Sequence, residues 1–193
     1  DGDHAGEFER LVYLVNGSDS GWRTNWQFGK YTDDKNNEYK VWMDEEYFKP
    51  RWAGQAAHIL PPLKDFHAGP AGMAYNPGTA LNENYRDHFF VMSFRGSVAN
   101  SPIYAFTLEE NGASYELAAE QEALTGVLAV GLDFGPDGAL YMNDWIRGWD
   151  QKNQGRLWKL DDESNAESPA RLETKRLLGE SFDEADTDIL VGY

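Results

Sequence analysis

The sequence predicts an all-β chain in which antiparallel sheets repeat like the blades of a β-propeller. Residues 131–142 (GLDFGPDGALYM) place two short apolar runs on either side of a Pro-Asp-Gly turn, in which Pro fixes φ and Gly accepts a positive φ. Residues 72–78 (GMAYNPG), followed by 89–92 (FFVM), repeat this pattern earlier in the chain. Aromatic residues make up 14% of the sequence, and they favour strands and large buried contacts.

The repeat extends beyond these two runs. Residues 102–108 correspond to 155–160, and residues 114–120 correspond to 171–177. Each copy is therefore predicted to hold four short strands, and the period of roughly 50 to 60 residues is typical of propeller blades. The alternative is a pair of unrelated antiparallel meanders, which the agreement of turn chemistry and strand order in both copies disfavours.

The predicted organisation is a partial propeller of two to three blades. A propeller needs four to eight blades to protect its sheet edges, so we expect further blades from the same polypeptide or from another chain. The end of one blade is predicted at 1–22, with a strand at 9–15 and a turn at 17–22, and a long inter-blade loop follows at 23–65. Two blades are predicted at 66–125 and 126–178. Residues 179–193 are predicted to form a short helical tail or the start of a helical domain.

Composition excludes several classes of function. The chain has no cysteine, which excludes disulfides, cysteine nucleophiles and covalently attached haem in this segment. Its net charge of −16 argues against nucleic acid as a partner, because phosphate contacts need clustered Lys and Arg. No apolar run approaches the ~20 residues that span a bilayer, so no membrane insertion is expected.

Two short segments are candidate binding sites. The N-terminal segment 1–7 (DGDHAGE) is rich in carboxylates on a Gly-containing loop, a donor set that suits Ca²⁺; the alternative is a solvated acidic terminus. Asp144 and Trp145 follow the second strand of a predicted blade. A Trp that stacks on a sugar beside an Asp that accepts its hydroxyls is a common saccharide-binding pair, whereas a strand-ending Asx turn beside a packed Trp is the structural alternative.

Residues 69–75 (GPAGMAY), 88–96 (HFFVMSFRG), 103–106 (IYAF) and 131–141 resemble the C-terminal half of the glucose/sorbosone dehydrogenase family. The resemblance implies a six-bladed β-propeller that uses pyrroloquinoline quinone (PQQ) and Ca²⁺ to oxidise sugars. The chain is most similar to the propeller of large bacterial membrane-bound dehydrogenase proteins, in which helical repeats and a c-type cytochrome domain follow the propeller. A periplasmic or secreted location is implied with it.

The resemblance also implies roles for individual residues. Arg95 stands where the family has a Lys or Arg near the quinone, and a cation there could pair with a PQQ carboxylate; a surface Arg in a strand-end turn is the alternative. Asp3, Glu7 or Glu9 would supply the Ca²⁺ ligand. His67 lies where family active sites open, as a candidate general base, although the family's own catalytic His lies in an earlier blade.

One departure from the family pattern bears on the cofactor. The family has two arginines in the segment that corresponds to residues 128–132, which here read LAVGL. A ligand with three carboxylates needs cationic or metal partners, because their burial without partners is costly. PQQ binding is therefore in question on sequence grounds.

Two hypotheses of function follow. The first is the propeller portion of a quinoprotein-like sugar or alcohol dehydrogenase that passes electrons to a cytochrome, with His67 or Asp144 as catalytic candidates and Asp144 and Trp145 contacting substrate. The second is a non-catalytic propeller that binds a glycan or docks partner domains in a larger assembly.

Overall fold

The computed structural model describes residues 9–18, 20, 50–55, 60–150, 153–183 and 186–191. The strands are β1 (Arg10–Leu11), β2 (Lys64–Asp65), β3 (Pro70–Asn76), β4 (His88–Ser93), β5 (Ile103–Asn111), β6 (Ser114–Leu124), β7 (Ala129–Phe134), β8 (Leu140–Asp144) and β9 (Arg156–Leu160). The α-helices are α1 (Pro169–Leu178) and α2 (Thr187–Val191).

The described strands form three sheets. β3-β4-β5-β6 is a four-stranded sheet in sequence order and β7-β8-β9 is a three-stranded one, while β1 pairs with β2. The pairs β1–β2, β3–β4, β4–β5, β7–β8 and β8–β9 are antiparallel. The all-β fold class is thus confirmed, and the first predicted blade is a four-stranded meander. The number of blades in a closed ring and the domain limits drawn from the sequence stay predictions.

An apolar core joins the two larger sheets. Met92 and Ile103 of the first sheet are buried in one cluster with Leu140 and Met142 of the second. Full burial of each such side chain stabilises the fold by about 1.5–3 kcal/mol. β3 and β7 approach closely beside this core, because a Cβ added to Gly72 (φ +141°) would lie 3.3 Å from the Cα of Gly131.

The predicted Pro-Asp-Gly turn is confirmed between β7 and β8. The Gly138 amide donates to the Gly135 carbonyl at 2.9 Å, and the Gly135 amide donates to the Ala139 carbonyl at 2.9 Å. Gly138 has a φ of +75°, and a Cβ there would lie 2.5 Å from the Arg171 guanidinium. Glycine is required at this position by both its backbone conformation and its surroundings.

The fourth strand predicted at 171–177 is wrong, because these residues lie in α1. Pro169 occupies the first turn after Ser168, where its missing N–H costs nothing. The residues that follow are mostly strong helix formers, and Arg176 pairs with Glu173 one turn earlier. The correspondence with residues 114–120 therefore did not indicate a strand, and the described part of the second sheet has three strands.

The N-terminal strand is also shorter than predicted. The sequence favoured a strand over 9–15, but β1 spans only Arg10–Leu11, and Leu14 and Val15 are exposed. The predicted loop at 23–65 ends in β2, which pairs with β1; most of this loop and part of the predicted turn at 17–22 lie outside the described residues. The predicted C-terminal helix is found as α2.

The contact pattern divides the chain into two compact units. One comprises Asp1–Glu9, His67–Glu109 and Leu117–Tyr193, and the other Arg10–Phe66 and Glu110–Glu116. The first contains the apolar core of the two larger sheets, and the second contains β1 and β2. Among the described residues, no helix has the length and apolar character required to cross a bilayer.

Arg171 fixes α1 against the turn between β7 and β8. Its side chain is 2% exposed and pairs with Asp161 at 2.8 Å. Its Nε also donates to the Asp137 carbonyl at 3.1 Å, and Nη1 donates to the Asp162 carbonyl at 3.4 Å. A buried guanidinium with this many partners ties the helix to the sheet.

We predict that Arg171→Ala lowers the free energy of unfolding by about 3 kcal/mol, because it leaves a carboxylate and buried carbonyls without their donor. Arg86→Ala is the matched control, since Arg86 forms an exposed ion pair with Glu83 of a kind that contributes about 0–1 kcal/mol. Urea unfolding of both variants measures the difference. Equal losses would show that Arg171 does not hold the helix.

The turn that Arg171 contacts is sensitive to acid. Burial alone would raise the pKa of Asp137, but hydrogen bonds from Lys159, the Ala139 amide and Tyr141 outweigh it and lower the pKa from 3.8 to about 2. Lys159 Nζ lies 2.8 Å from the carboxylate. Because the unfolded chain binds this proton more readily, the stabilisation is complete above about pH 4 and is lost as the pH falls towards 2.

We therefore expect Asp137→Asn to lower the free energy of unfolding by about 2 kcal/mol at pH 7 and to have a smaller effect near pH 2. Denaturation profiles of both proteins between pH 2 and 7 measure the difference. If the two proteins differed by the same free energy of unfolding at every pH in this range, the lowered pKa of Asp137 would be contradicted.

Candidate functional site

Four of the residues predicted to be functional, His67, Arg95, Asp144 and Trp145, lie at one end of the two larger sheets. Because β3, β4 and β5 pair antiparallel, β3 and β5 begin beside the end of β4, and for the same reason β7 and β9 begin beside the end of β8. His67 precedes β3, Arg95 follows β4, and Trp145 follows β8. The Phe94 ring stacks on Trp145 with centroids 5.9 Å apart, which brings the loops of the two sheets together.

His67 belongs to a compact cluster at this end. Its ring stacks flat on Tyr104, with centroids 3.5 Å apart and planes inclined by 2°. Its Nε2 is hydrogen-bonded to Glu120 Oε1, and both side chains are largely buried. A His held by a carboxylate is the arrangement found in general bases. The sequence did not identify Glu120 as this partner, because it lies 53 positions from His67.

Arg95 lies beside the same cluster. Its Nε donates to Ser93 Oγ at 3.1 Å, and its backbone amide donates to Ser101 Oγ at 2.9 Å. Burial raises the pKa of Tyr104, the nearby Arg95 opposes this rise, and Glu122 and Glu120 reinforce it. The structure therefore brings His67 and Arg95 to one place through Tyr104.

The Asp144 carboxylate is 3% exposed and is engaged by its own chain. Oδ1 accepts from the amides of Ile146 at 2.7 Å and Leu128 at 3.3 Å. Oδ2 accepts from Trp158 Nε1 at 2.8 Å and lies 3.2 Å from Arg156 Nε. Burial raises the pKa of this carboxyl, but these hydrogen bonds and the Arg156 charge lower it overall. The Asx turn that the sequence left as an alternative is present, and direct binding of substrate by Asp144 stays a prediction.

Trp145 lines an open cleft of about 500 Å³ at this end. Its ring also meets the ring of Trp149 edge to face, with centroids 4.4 Å apart, and Trp149 is 72% exposed. The other residues that line the cleft are Val130, Asn143, Asp144, Gln154, Gly155, Arg156 and Leu157. Aromatic faces beside amide groups in an open cleft suit a sugar or another polyol.

The positions of the two missing arginines do not fit a tricarboxylate cofactor. Leu128 is fully buried, and its side chain lies 3.3 Å from the Cβ position of Gly148. Val130 lines the cleft but offers no charge or hydrogen-bond donor in its side chain. A contact with PQQ from this part of the chain therefore stays a prediction that rests on Arg95.

The structure describes one of the three predicted Ca²⁺ ligands. Asp3 and Glu7 lie outside the described residues, and Glu9 is half-buried immediately before β1. Within the described ranges, no group of three or more His, Asp or Glu side chains is placed to hold a metal ion.

No protein-family model matches the chain, and no curated protein sequence matches it. Among solved structures, a glucose dehydrogenase is similar at 24% identity over 53% of this chain and 28% of that one, with a TM-score of 0.40. A second glucose dehydrogenase has 23% identity over 56% of this chain and 28% of that one, with a TM-score of 0.42. An oxidoreductase (glucose dehydrogenase) from Thermus thermophilus has 21% identity over 55% of this chain and 30% of that one, with a TM-score of 0.41.

The chain spans less than a third of the length of these similar structures. The names of these structures refer to whole proteins, of which the matched region is a minor part. The activity, substrates and partners of this chain are accordingly matters of proposal.

The hydrogen bond from Trp158 to Asp144 gives a prediction for this end of the sheets. Trp158→Phe removes the indole donor to a buried carboxylate, so we expect the free energy of unfolding to fall by about 1.5–3 kcal/mol. Trp149→Phe is the control, because an exposed ring changes stability by no more than about 0.5 kcal/mol. Urea unfolding of both variants provides the measurement, and equal stabilities would mean that the hydrogen bond contributes nothing.

Proposed function

We propose that this chain forms part of the substrate-binding end of a propeller of the sugar or alcohol dehydrogenase type. The observation that carries the proposal is the His67–Glu120 hydrogen bond, which lies at the same end of the sheets as the cleft beside Trp145. A held imidazole supplies a proton acceptor, and the aromatic and amide groups supply a surface for a polyhydroxylated substrate.

Each residue has a distinct role in this proposal. Glu120 and the Tyr104 ring hold His67 in one orientation, and His67 accepts the proton of a substrate hydroxyl. Trp145 presents its ring to the apolar face of a sugar, and the amides of Asn143 and Gln154 exchange hydrogen bonds with hydroxyls. Asp144 acts as a positioning residue, since its oxygens hold the loop that carries Trp145.

The cofactor and the partners form a further part of the proposal. PQQ supplies hydride-accepting chemistry when bound, and Arg95 is the residue of this chain proposed to pair with one of its carboxylates. Leu128 and Val130 do not fit such a group, because neither side chain carries a charge or a hydrogen-bond donor. The remaining blades, a cytochrome c domain as electron acceptor, Ca²⁺ held by Asp3, Glu7 or Glu9, and a periplasmic or secreted location complete the proposal.

A non-catalytic propeller that binds glycans is the second candidate. It is favoured by the apolar side chains of Leu128 and Val130 at the two positions where the family has cations. It would use the same cleft beside Trp145 and would need no proton acceptor.

The test uses the full-length protein, supplied with PQQ and Ca²⁺, and follows dye reduction with neutral sugars and simple alcohols. His67→Gln is expected to lower kcat by a factor of about 10²–10⁴, as for loss of a general base, with little change in KM. His88→Gln is the matched control, because His88 is hydrogen-bonded to the Arg86 carbonyl at the other end of β4.

Two results would count against the first candidate. Equal kcat values for the His67 and His88 variants would remove the proton-acceptor role. Binding of neutral oligosaccharides without quinone absorbance or dye reduction would favour the glycan-binding candidate instead.

A further inference from the structure

A second open cleft of about 940 Å³ adjoins the cleft beside Trp145. The two clefts share Gln154, Gly155 and Arg156. The other described residues that line the second cleft are Val98, Ile146, Arg147 and Asn153. All the described residues that line the two clefts lie within one compact unit of the chain.

The lining of this second cleft is cationic in a strongly acidic protein. The chain carries a net charge of −16, yet Arg147 and Arg156 line the cleft, and the described lining residues include no Asp or Glu. Arg147 is exposed and forms no ion pair with another described residue. The charge of this cleft is therefore opposite to that of the whole chain. Clustered cations in a concave surface attract anions.

Arg156 is held in place beside Arg147. Its Nε lies 3.2 Å from Asp144 Oδ2, and its side chain remains half exposed. The guanidinium also lies over the Trp158 ring, 5.2 Å from its centroid. A guanidinium fixed on one side by a carboxylate and an aromatic ring is well prepared to bind an anionic group on the other side.

The backbone that carries Arg147 is strained. Ile146 has a φ of +59°, as does Asn153 on the other side of the cleft. A β-branched residue in this region is a true outlier and costs about 1–3 kcal/mol. The hydrogen bond from the Ile146 amide to Asp144 holds this conformation at 2.7 Å. The Asx turn thereby fixes the position from which Arg147 enters the cleft.

An aromatic platform lies on the same segment. Trp149 is two residues beyond Arg147 and is 72% exposed, with its ring edge to face with Trp145. Through Trp145, which lines the adjoining cleft together with Gln154 and Arg156, this indole adds a stacking surface to groups that pair with charge and bind hydroxyls. These are the contacts that a charged sugar requires.

We propose that this cleft binds an anionic saccharide, a sugar chain that carries carboxylate or sulfate groups. The inference rests on the proposed sugar-binding function and names the class of its ligand. Arg147 and Arg156 pair with the anionic groups, while Trp145 and Trp149 stack on the rings.

The experiment measures binding to the full-length protein by calorimetry at low ionic strength. The probes are trigalacturonate, a sulfated trisaccharide, the neutral galactose trisaccharide, sodium sulfate and PQQ. We expect at least one acidic trisaccharide to bind about tenfold more tightly than the neutral one, which corresponds to about 1.4 kcal/mol, and we expect this advantage to shrink as salt is added.

Three variants locate the effect. Arg147→Gln is expected to remove most of the tenfold preference while changing neutral binding by less than about twofold. Arg147→Lys keeps the charge and is expected to retain part of the preference. Lys175→Gln removes an equal charge from the exposed last turn of α1 and is expected to change nothing.

Several results would overturn the inference. Equal binding of acidic and neutral trisaccharides, or equal effects of the Arg147 and Lys175 variants, would exclude charge selection in the cleft and leave the proposed function standing. Sodium sulfate or PQQ that binds as tightly as the acidic trisaccharides would show a general anion site or a cofactor site. Failure of every trisaccharide to bind would overturn the inference, and the proposed function would then be decided by the dye-reduction test with simple sugars and alcohols.

Discussion

The structure depends on the apolar contact between its two larger sheets. Alternate side chains of β4 and β5 point towards those of β8, and Met92, Ile103, Leu140 and Met142 form one buried cluster. Gly72 suits the close approach of β3 to β7, because it has a φ of +141° and a Cβ there would lie 3.3 Å from the Cα of Gly131. This contact fixes the two sheets relative to each other, so that the loops at one end are brought together and α1 has a surface against which to pack at the other.

Buried ionic groups at the two ends serve different purposes. At one end, Arg171 ties α1 to the turn between β7 and β8 through Asp161 and backbone carbonyls. These contacts stabilise the fold. At the other end, Asp144 accepts hydrogen bonds from two amides and an indole. That carboxylate holds a loop whose backbone is strained at Ile146, and the same loop presents the exposed residues of the cleft.

The charge distribution connects the proposed function with the further inference. The chain carries a net charge of −16, whereas two arginines line the second cleft and its described lining residues include no Asp or Glu. Neutral sugars are bound adequately by aromatic rings and amides. The arginines add selectivity for charge, and the surrounding acidic surface disfavours anionic ligands elsewhere.

The sequence by itself determined the local patterns of this protein. The strand pairs around 72–92 and 131–142 and the tight turn at Gly138 follow from alternation and turn chemistry, which act between neighbouring residues. At 171–177 the correspondence with 114–120 predicted a strand, and the structure has α1. Pro169 favours the first turn of a helix locally, whereas the bond from Arg171 to the Asp137 carbonyl depends on a turn 34 residues away.

Only the tertiary structure decided which side chains share a site. His67 and Arg95 were recognised as candidates from sequence, but Glu120 was not, since it is one of several acidic residues on β6 and its partner is 53 residues away. Asp144 and Trp145 were recognised as a pair, and only the fold revealed that the carboxylate is engaged internally while the cationic cleft beside it is open. Contacts between residues distant in sequence depend on sheet register and packing, which no local pattern contains.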